Sequence, residues 1–263
     1  MAISISSIIT QAYNRNQDQI NKLNATLARG TKDLNPAEEG IVLRLKSQAT
    51  GYEAAQKNIS GGLSVISVAK SGLSNIANII QKLQDIANQA SVSNLSDADR
   101  TNLQKTSASL ISQISDIASS SEINGSNLLS ASATDLSVTV GVDSSNSITV
   151  TAQKSDAVSL GIDALDISTQ AGAQAAVDAL KLSMTTVSAS QSSLAASETG
   201  MQSRSNTILS IQNNISTTVD SIEKIDPTTI QQQLSQLSQA TSINLWQVSQ
   251  LSQQNQSLLS IFR

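Results

Sequence analysis

Leu180, Val187, Leu194, Met201, Ile208, Ile215 and Ile222 stand at unbroken seven-residue spacing. Seven residues are two turns of α-helix, so these side chains form one apolar stripe along one helix. The positions between them are mostly Ser, Gln, Asn and Thr. A second tract has the same period: Ile59, Ile66, Leu73, Ile80 and Ala87, with Gly62, Ala69, Ile76, Leu83 and Ala90 three residues after each. Small residues at several of these core positions let a partner helix approach closely. The second helix is expected to start near Pro36 and end near Ala90. At ~1.5 Å per residue it would be roughly 80 Å long, too long for a globular bundle.

Between the tracts the period changes. In "SVSNLSDADR" Ser96 precedes Asp99 by three residues, as in a capping box,. A further helix of about 24 residues follows, with Leu103, Leu110 and Ile117 on its face and Ser107 and Ile114 between them,. The break is short enough to fold it back antiparallel. In "DLSVTVGVDSSNSITVTA", Leu136, Val138, Val140, Ile148 and Val150 alternate with polar residues around a turn-rich centre. A β-hairpin is expected near 135–152,. A poorly patterned segment runs from there to about Thr169.

Both ends carry weaker stripes. Ile9, Tyr13, Asn16, Ile20, Leu23 and Leu27 mark an N-terminal arm, and Ile230, Leu234, Leu237, Thr241, Asn244, Val248, Leu251, Asn255 and Leu258 mark a C-terminal one. Polar residues interrupt both seams, so neither apolar face is complete by itself. The two prolines of the chain set the arms off: 35 residues precede Pro36 and 36 follow Pro227. Each proline follows an Asx, Asn35 or Asp226, which suits a helix N-cap followed by proline at the first helical position. Glu38 completes a capping box at the first joint. Arg29, Lys32, Asp33, Glu38 and Glu39 concentrate charge there, in a chain with only 14% charged residues. They are candidates for bridges between neighbouring subunits. The sequence thus predicts a mainly α fold, a long antiparallel helical bundle or coiled coil with a small β-hairpin. It divides into terminal arms at 1–35 plus 227–263 and a body at 36–226. Arms this thin bury little and are expected to order against other subunits.

Composition removes most chemistry. There is no Cys and no His, hence no thiol nucleophile, no disulfide, no Ser-His-Asp triad and no zincin motif,. No catalytic, metal or cofactor residues emerge. The D-x-D of "SDADR" lacks the rest of a calcium loop and reads as acids in a helix's first turn. Gly61-Gly62 lies inside a heptad without the Lys-Ser/Thr of a phosphate loop. No Lys/Arg cluster is dense enough to track nucleic acid at a net charge of −4,. No uninterrupted apolar run approaches the roughly 18 residues of a membrane span. The start, "MAISISSIITQAYNRNQDQ", lacks the basic and apolar regions of a cleavable signal peptide, so export would need another route.

Read in order, several segments resemble bacterial flagellin. "INKLNATLARGTKDLNPAEEG" is similar to the family's N-terminal segment, in which a Leu-rich helix ends in a Gly turn. "KNISGGLSVISVAKSGLSNIANIIQKLQDIANQAS" is similar to its long heptad stretch. "INGSNLL" resembles its Phe-Asn-Gly motif, with Ile123 in place of Phe, and "VSLGID" its Ser-Leu-Gly-Leu. "ILSIQNNISTTVDSIEKID" and "SLLSIFR" resemble its C-terminal helix and tail. The resemblance implies a secreted, extracellular filament subunit that self-assembles for swimming motility. It would pass unfolded through the flagellar type III export apparatus, with an export chaperone, and polymerise under a cap protein, next to hook-associated proteins. Paired terminal helices would form an inner tube and the body an outer one. Little chain is left between Ile162 and Ala171 for the family's large outer variable domains. Lys82, Gln84, Asp85 and Ile86 align with the family's Arg-x-Arg-Glu-Leu segment for innate Toll-like receptors. With one arginine replaced by lysine and the other lost, strong recognition is not expected. The proline that often interrupts the family's last helix is missing, and Trp246 is unusual bulk in that arm.

Two other classes share these patterns. The hook–filament junction protein has similar terminal segments, and "NLSDADRTNL" and "DLNP" lean towards it. A chemoreceptor signalling hairpin is also rich in Ser, Ala and Gln heptads, but needs membrane spans and a Glu-rich tip.

Overall fold

The computed structural model describes the backbone of residues 5–261 and the side chains of residues 7–254. Five helices occur in this order: α1 (Ile5–Arg29), α2 (Pro36–Ala90), α3 (Asp97–Ser120), α4 (Gln170–Glu223) and α5 (Pro227–Ile261). Two antiparallel hairpins lie between α3 and α4: β1 (Glu122–Ile123) with β2 (Ser126–Asn127), and β3 (Leu136–Thr139) with β4 (Ser147–Val150). The chain divides into two compact units, residues 47–213 and residues 1–46 with 214–263. The divisions lie inside α2 and α4, beyond the prolines.

In the unit of residues 47–213 the heptads become the core. Ile59, Ile66, Leu73 and Ile80 on α2, with Val187, Leu194, Met201 and Ile208 on α4, have no exposed surface. By length and composition an 18-residue window of α2 does pass for a membrane span, at mean hydropathy 1.3, contrary to the uninterrupted-run argument. Its apolar residues alternate with polar ones and supply this buried seam, with 44% of the window buried.

Helix α3 begins at its expected cap. Ser96 Oγ accepts the Asp99 N–H at 3.1 Å and donates to the Asp99 carboxylate at 2.6 Å. Its buried row differs from the expected one. Arg100, Ser107, Ile111, Ile114 and Ala118 are buried, while Leu103, Leu110 and Ile117 pack half-buried at the edges. The cause is Arg100, which folds inward and donates to Ala90 O at 2.9 Å and Val92 O at 2.7 Å. It thereby satisfies the last carbonyl of α2 and one just past it, where a cation is also favoured by the helix dipole. At the far end of α3, Ser121 meets Gly72. A Cβ on that glycine would lie within 2.7 Å of Leu129 Cδ1. Contacts at both ends make α3 antiparallel to α2.

The β1–β2 hairpin turns on Asn124 and Gly125, at φ 51° and 78°. A left-handed Asn-Gly pair matches the twist of a two-residue hairpin. Asn127 then uses all four of its hydrogen-bonding capacities. Its Nδ2 donates to Ala118 O at 2.8 Å and Ser119 O at 3.0 Å, and its Oδ1 accepts from Leu129 N and Ser130 N. It ties the end of α3 to the hairpin.

The β3–β4 hairpin falls where the alternation placed it, with Val138 opposite Ile148. A glycine notch receives it: a Cβ on Gly62 would stand 2.8 Å from Val138 Cγ2 and 3.1 Å from Met201 Cε. From α4, Arg204 Nε donates to Val140 O at 3.1 Å. Residues 151–169 have no regular structure yet bury Ile162 and Ile167. Gln104 of α3 holds them in the manner of a strand partner, donating to Leu165 O at 3.0 Å and accepting from Ile167 N at 2.7 Å.

Candidate assembly interface

In the other unit, α1 and α5 pair antiparallel. Leu23 shares a groove with Leu237, and Tyr13 shares one with Val248. The expected seam residues face one another, but only partly leave water. Ile9, Tyr13, Asn16, Ile20, Leu23 and Leu27 on α1 are half-buried, as are Ile230, Leu234, Leu237, Asn244, Val248 and Leu251 on α5. Among the described residues the buried positions on the two helices are polar: Thr26 and Thr241. Each threonine hydroxyl donates to the carbonyl four residues before it, at 2.9 and 2.8 Å, so no polar atom is stranded,. The side chains of Asn255 and Leu258 lie outside the described residues.

Helix α5 carries exposed apolar bulk beyond its seam positions. Ile243 and Leu245 are more than half exposed, and Trp246 is 63% exposed. Sequence spacing did not select Ile243 or Leu245, because neither falls on the alternating three-and-four spacing, although Leu245 edges the groove of Tyr13 and Val248. Helix α5 also contains no Asp, Glu, Lys or Arg over its 35 residues, whereas α1 carries Arg15, Asp18, Lys22 and Arg29. Most helices gain solubility from surface charge. A helix without any is suited to lie beside copies of itself, since a charge would recur at every copy and repel.

The joints are built as the prolines implied. At the first, Gly30 at φ 71° ends α1, and its N–H donates to Thr26 O at 3.0 Å,. The capping box of α2 is reciprocal: Glu38 N donates to Asn35 Oδ1 at 2.9 Å, and Asn35 N to Glu38 Oε2 at 3.1 Å. Pro36 follows at the first helical position. The Asn35 N–H, and then Lys32, hold the Glu38 carboxyl below its ordinary pKa. At the second joint Asp226 accepts from Thr228 N at 2.9 Å and Thr229 Oγ1 at 2.8 Å, ahead of Pro227. These bonds, the Thr229 hydroxyl first, lower the Asp226 pKa.

The clustered charges are brought together within the chain. Arg29 pairs with Asp33 at 2.6 Å and Lys32 with Glu38 at 3.3 Å. Glu39 borders a shallow groove with Leu34, Leu43 and Lys46. The sequence reading missed the partners across the joint. Thr31 forms a β-bridge with Lys224, and Lys32 N donates to Glu223 O at 2.9 Å. Lys46 donates to the Glu223 carboxylate at 2.6 Å. Each pairing spans almost 180 residues or more of sequence, so no local motif could announce it. In the other unit, Lys82 and Asp85 are exposed on α2, and Gln84 and Ile86 are half-buried.

This arrangement, a helical body and a pair of chain ends with an unfinished apolar face, is that of a self-assembling structural protein. The family described as the bacterial flagellin N-terminal helical region matches residues 2–134, half of the chain. Flagellin of Listeria innocua is 26% identical over 275 residues, covering 96% of this chain and 94% of that protein. Flagellin of Escherichia coli K12 is 26% identical over 168 residues, covering 62% of this chain but only 34% of the longer protein. A solved structure described as a flagellar hook-associated protein from Vibrio parahaemolyticus shares the fold. Its TM-score is 0.59 at 14% identity, over 71% of this chain and 98% of that one. The chain belongs to the bacterial flagellin family. It is a structural subunit of the flagellar filament, an extracellular appendage into which such subunits polymerise.

Proposed function

We propose that the subunit polymerises through its α1–α5 pair, packed against the same pair of other copies. The charge-free surface of α5, with Ile243, Leu245 and Trp246 exposed, is the observation that carries this reading. In this reading residues 1–35 with 227–263 form the inner tube of the filament, and residues 36–226 with the β3–β4 hairpin form the outer one. Arg29, Lys32, Asp33, Glu38 and Glu39 then lie between the tubes. Their intramolecular pairs are exposed enough to exchange partners with a neighbouring subunit. Neutralising Glu38 and Glu39 together should change filament shape or growth and leave monomer helicity intact.

The chain acts by assembly, not catalysis. Its partners are copies of itself, the cap and hook-associated proteins, and the type III export apparatus with its chaperone. Recognition by Toll-like receptors is weak, since Gln84 stands where the family has a second arginine. The test is seeded growth followed by electron microscopy. The unaltered monomer should add to seeds as long filaments, and Trp246→Lys should stop growth while circular dichroism of the monomer stays unchanged. Unimpaired growth of Trp246→Lys would remove the exposed surface of α5 from the interface.

A further inference from the structure

We infer that Glu223 is a latch that holds the two inter-helix connectors together and ties both to α2. This conformational device belongs to the monomer and stands apart from any reading of the assembly. Residues 30–35 connect α1 to α2, and residues 224–226 connect α4 to α5. Connectors this short at the ends of long helices have few apolar contacts and would be expected to open independently. Here they are bonded to each other. Thr31 and Lys224 form an antiparallel bridge, and beside it Lys32 N donates to Glu223 O at 2.9 Å. Glu223 is the last residue of α4, so its carbonyl has no acceptor role within the helix and is available to the other connector,.

What fixes that carbonyl is the same residue's side chain. The Glu223 carboxylate is 23% exposed and accepts from Lys46 Nζ at 2.6 Å, from the third turn of α2. Lys32, whose main chain takes the Glu223 carbonyl, turns its own ammonium to Glu38 at 3.3 Å. Glu38 in turn closes the Asn35 capping box. A continuous relay therefore runs from Lys46 through Glu223 and Lys32 to the cap of α2. The last turn of α4 cannot shift without pulling on the start of α2. Lys224 adds nothing to this relay through its side chain, which pairs back to Asp220.

The latch is tested in the full-length monomer by amide hydrogen exchange at Lys32, a main-chain reporter that neither substitution alters. Glu223→Lys and Lys46→Glu, each alone, should speed Lys32 exchange about two- to fivefold, the range of one exposed ion pair. The double variant, with the charges exchanged, should return exchange towards the original rate. Glu223→Gln, which keeps the side-chain shape, should fall between the two. Circular dichroism checks that every variant remains helical. Single variants that leave Lys32 exchange unchanged, or a double variant as fast as the sum of the singles, would overturn the latch. Seeded filament growth of the same proteins reports separately on the α1–α5 interface. The latch can therefore fail while that interface stands, or the reverse.

Discussion

The seam of residues 47–213 and the seam of α1 with α5 follow the same helical rule and end differently. On α4, Leu194, Met201 and Ile208 are wholly buried, in one cluster with residues of α2, α3 and the hairpins. On α5, Leu234, Leu237 and Val248 stay half in water, with one helix beside them. A stripe needs neighbours on more than one side to disappear from solvent. Helices α2 and α3, the hairpins and residues 151–169 supply those neighbours to α4 within the chain. In the proposed assembly the α1–α5 pair obtains them from other copies. In that reading one region is complete in the monomer, and the other only in the polymer.

The strongest way to break this contrast is to remove one leucine from each seam. Leu194→Ala should cost the monomer about 2–5 kcal/mol of stability in urea unfolding, the usual range for a buried leucine. Leu237→Ala should barely move that midpoint, yet slow seeded growth. Equal losses of monomer stability would erase the distinction. The next effect comes from the buried cation of α3. Arg100→Leu takes the Arg100 donor from the Ala90 carbonyl and leaves Val92 O with the Leu95 N–H alone, costing about 1–3 kcal/mol in the same experiment,. A stability unchanged by this replacement would mean that packing alone holds the α2–α3 turn. Gly62→Ala is smaller still, at the low end of about 1–3 kcal/mol for overpacking. Val138→Ala should relieve it by vacating the space the new Cβ needs.

The smallest effect belongs to the joints and depends on pH. Glu38 and Asp226 have folded pKa values below their ordinary ones. Their caps are therefore at full strength above the ordinary carboxylate range, near ~4, and are lost as pH falls through the lowered folded values. Amide exchange at the starts of α2 and α5, taken relative to the intrinsic rate at each pH, should rise on acidification, while the core of α4 stays protected. In Glu38→Gln the rise at α2 should flatten. A rise that persists in that variant would assign the pH response to another group.

The sequence revealed most of the body and half of the joints. Helix α2 occupies Pro36–Ala90 as its heptads required, and α3 starts at the Ser96 cap. Both follow from local rules that a single segment carries in full. The buried row of α3 was misplaced because Arg100 reads as a surface residue until the carbonyls it serves at the end of α2 are in view. The β1–β2 hairpin was missed as structure because strands of two residues are too short to show alternation, although Asn124-Gly125 is a turn signal. The joints showed their caps, Asn35 with Glu38 and Asp226 ahead of Pro227, because a cap involves residues within three positions. They hid the Thr31–Lys224 bridge and the Glu223 contacts, which depend on two distant connectors arriving side by side. Ile243 and Leu245 went unnoticed because they fall outside the three-and-four spacing, where an apolar residue has no period to betray it.

Hydrogen exchange on monomer and filament, compared residue by residue, bears most directly on this division. The account predicts that α2, α3 and α4 within residues 47–213 are protected in both states. It predicts that α1 and α5 exchange quickly in the monomer and become protected on polymerisation. If α1 and α5 were as protected in the monomer as in the filament, the terminal pair would be complete by itself and the account would be wrong.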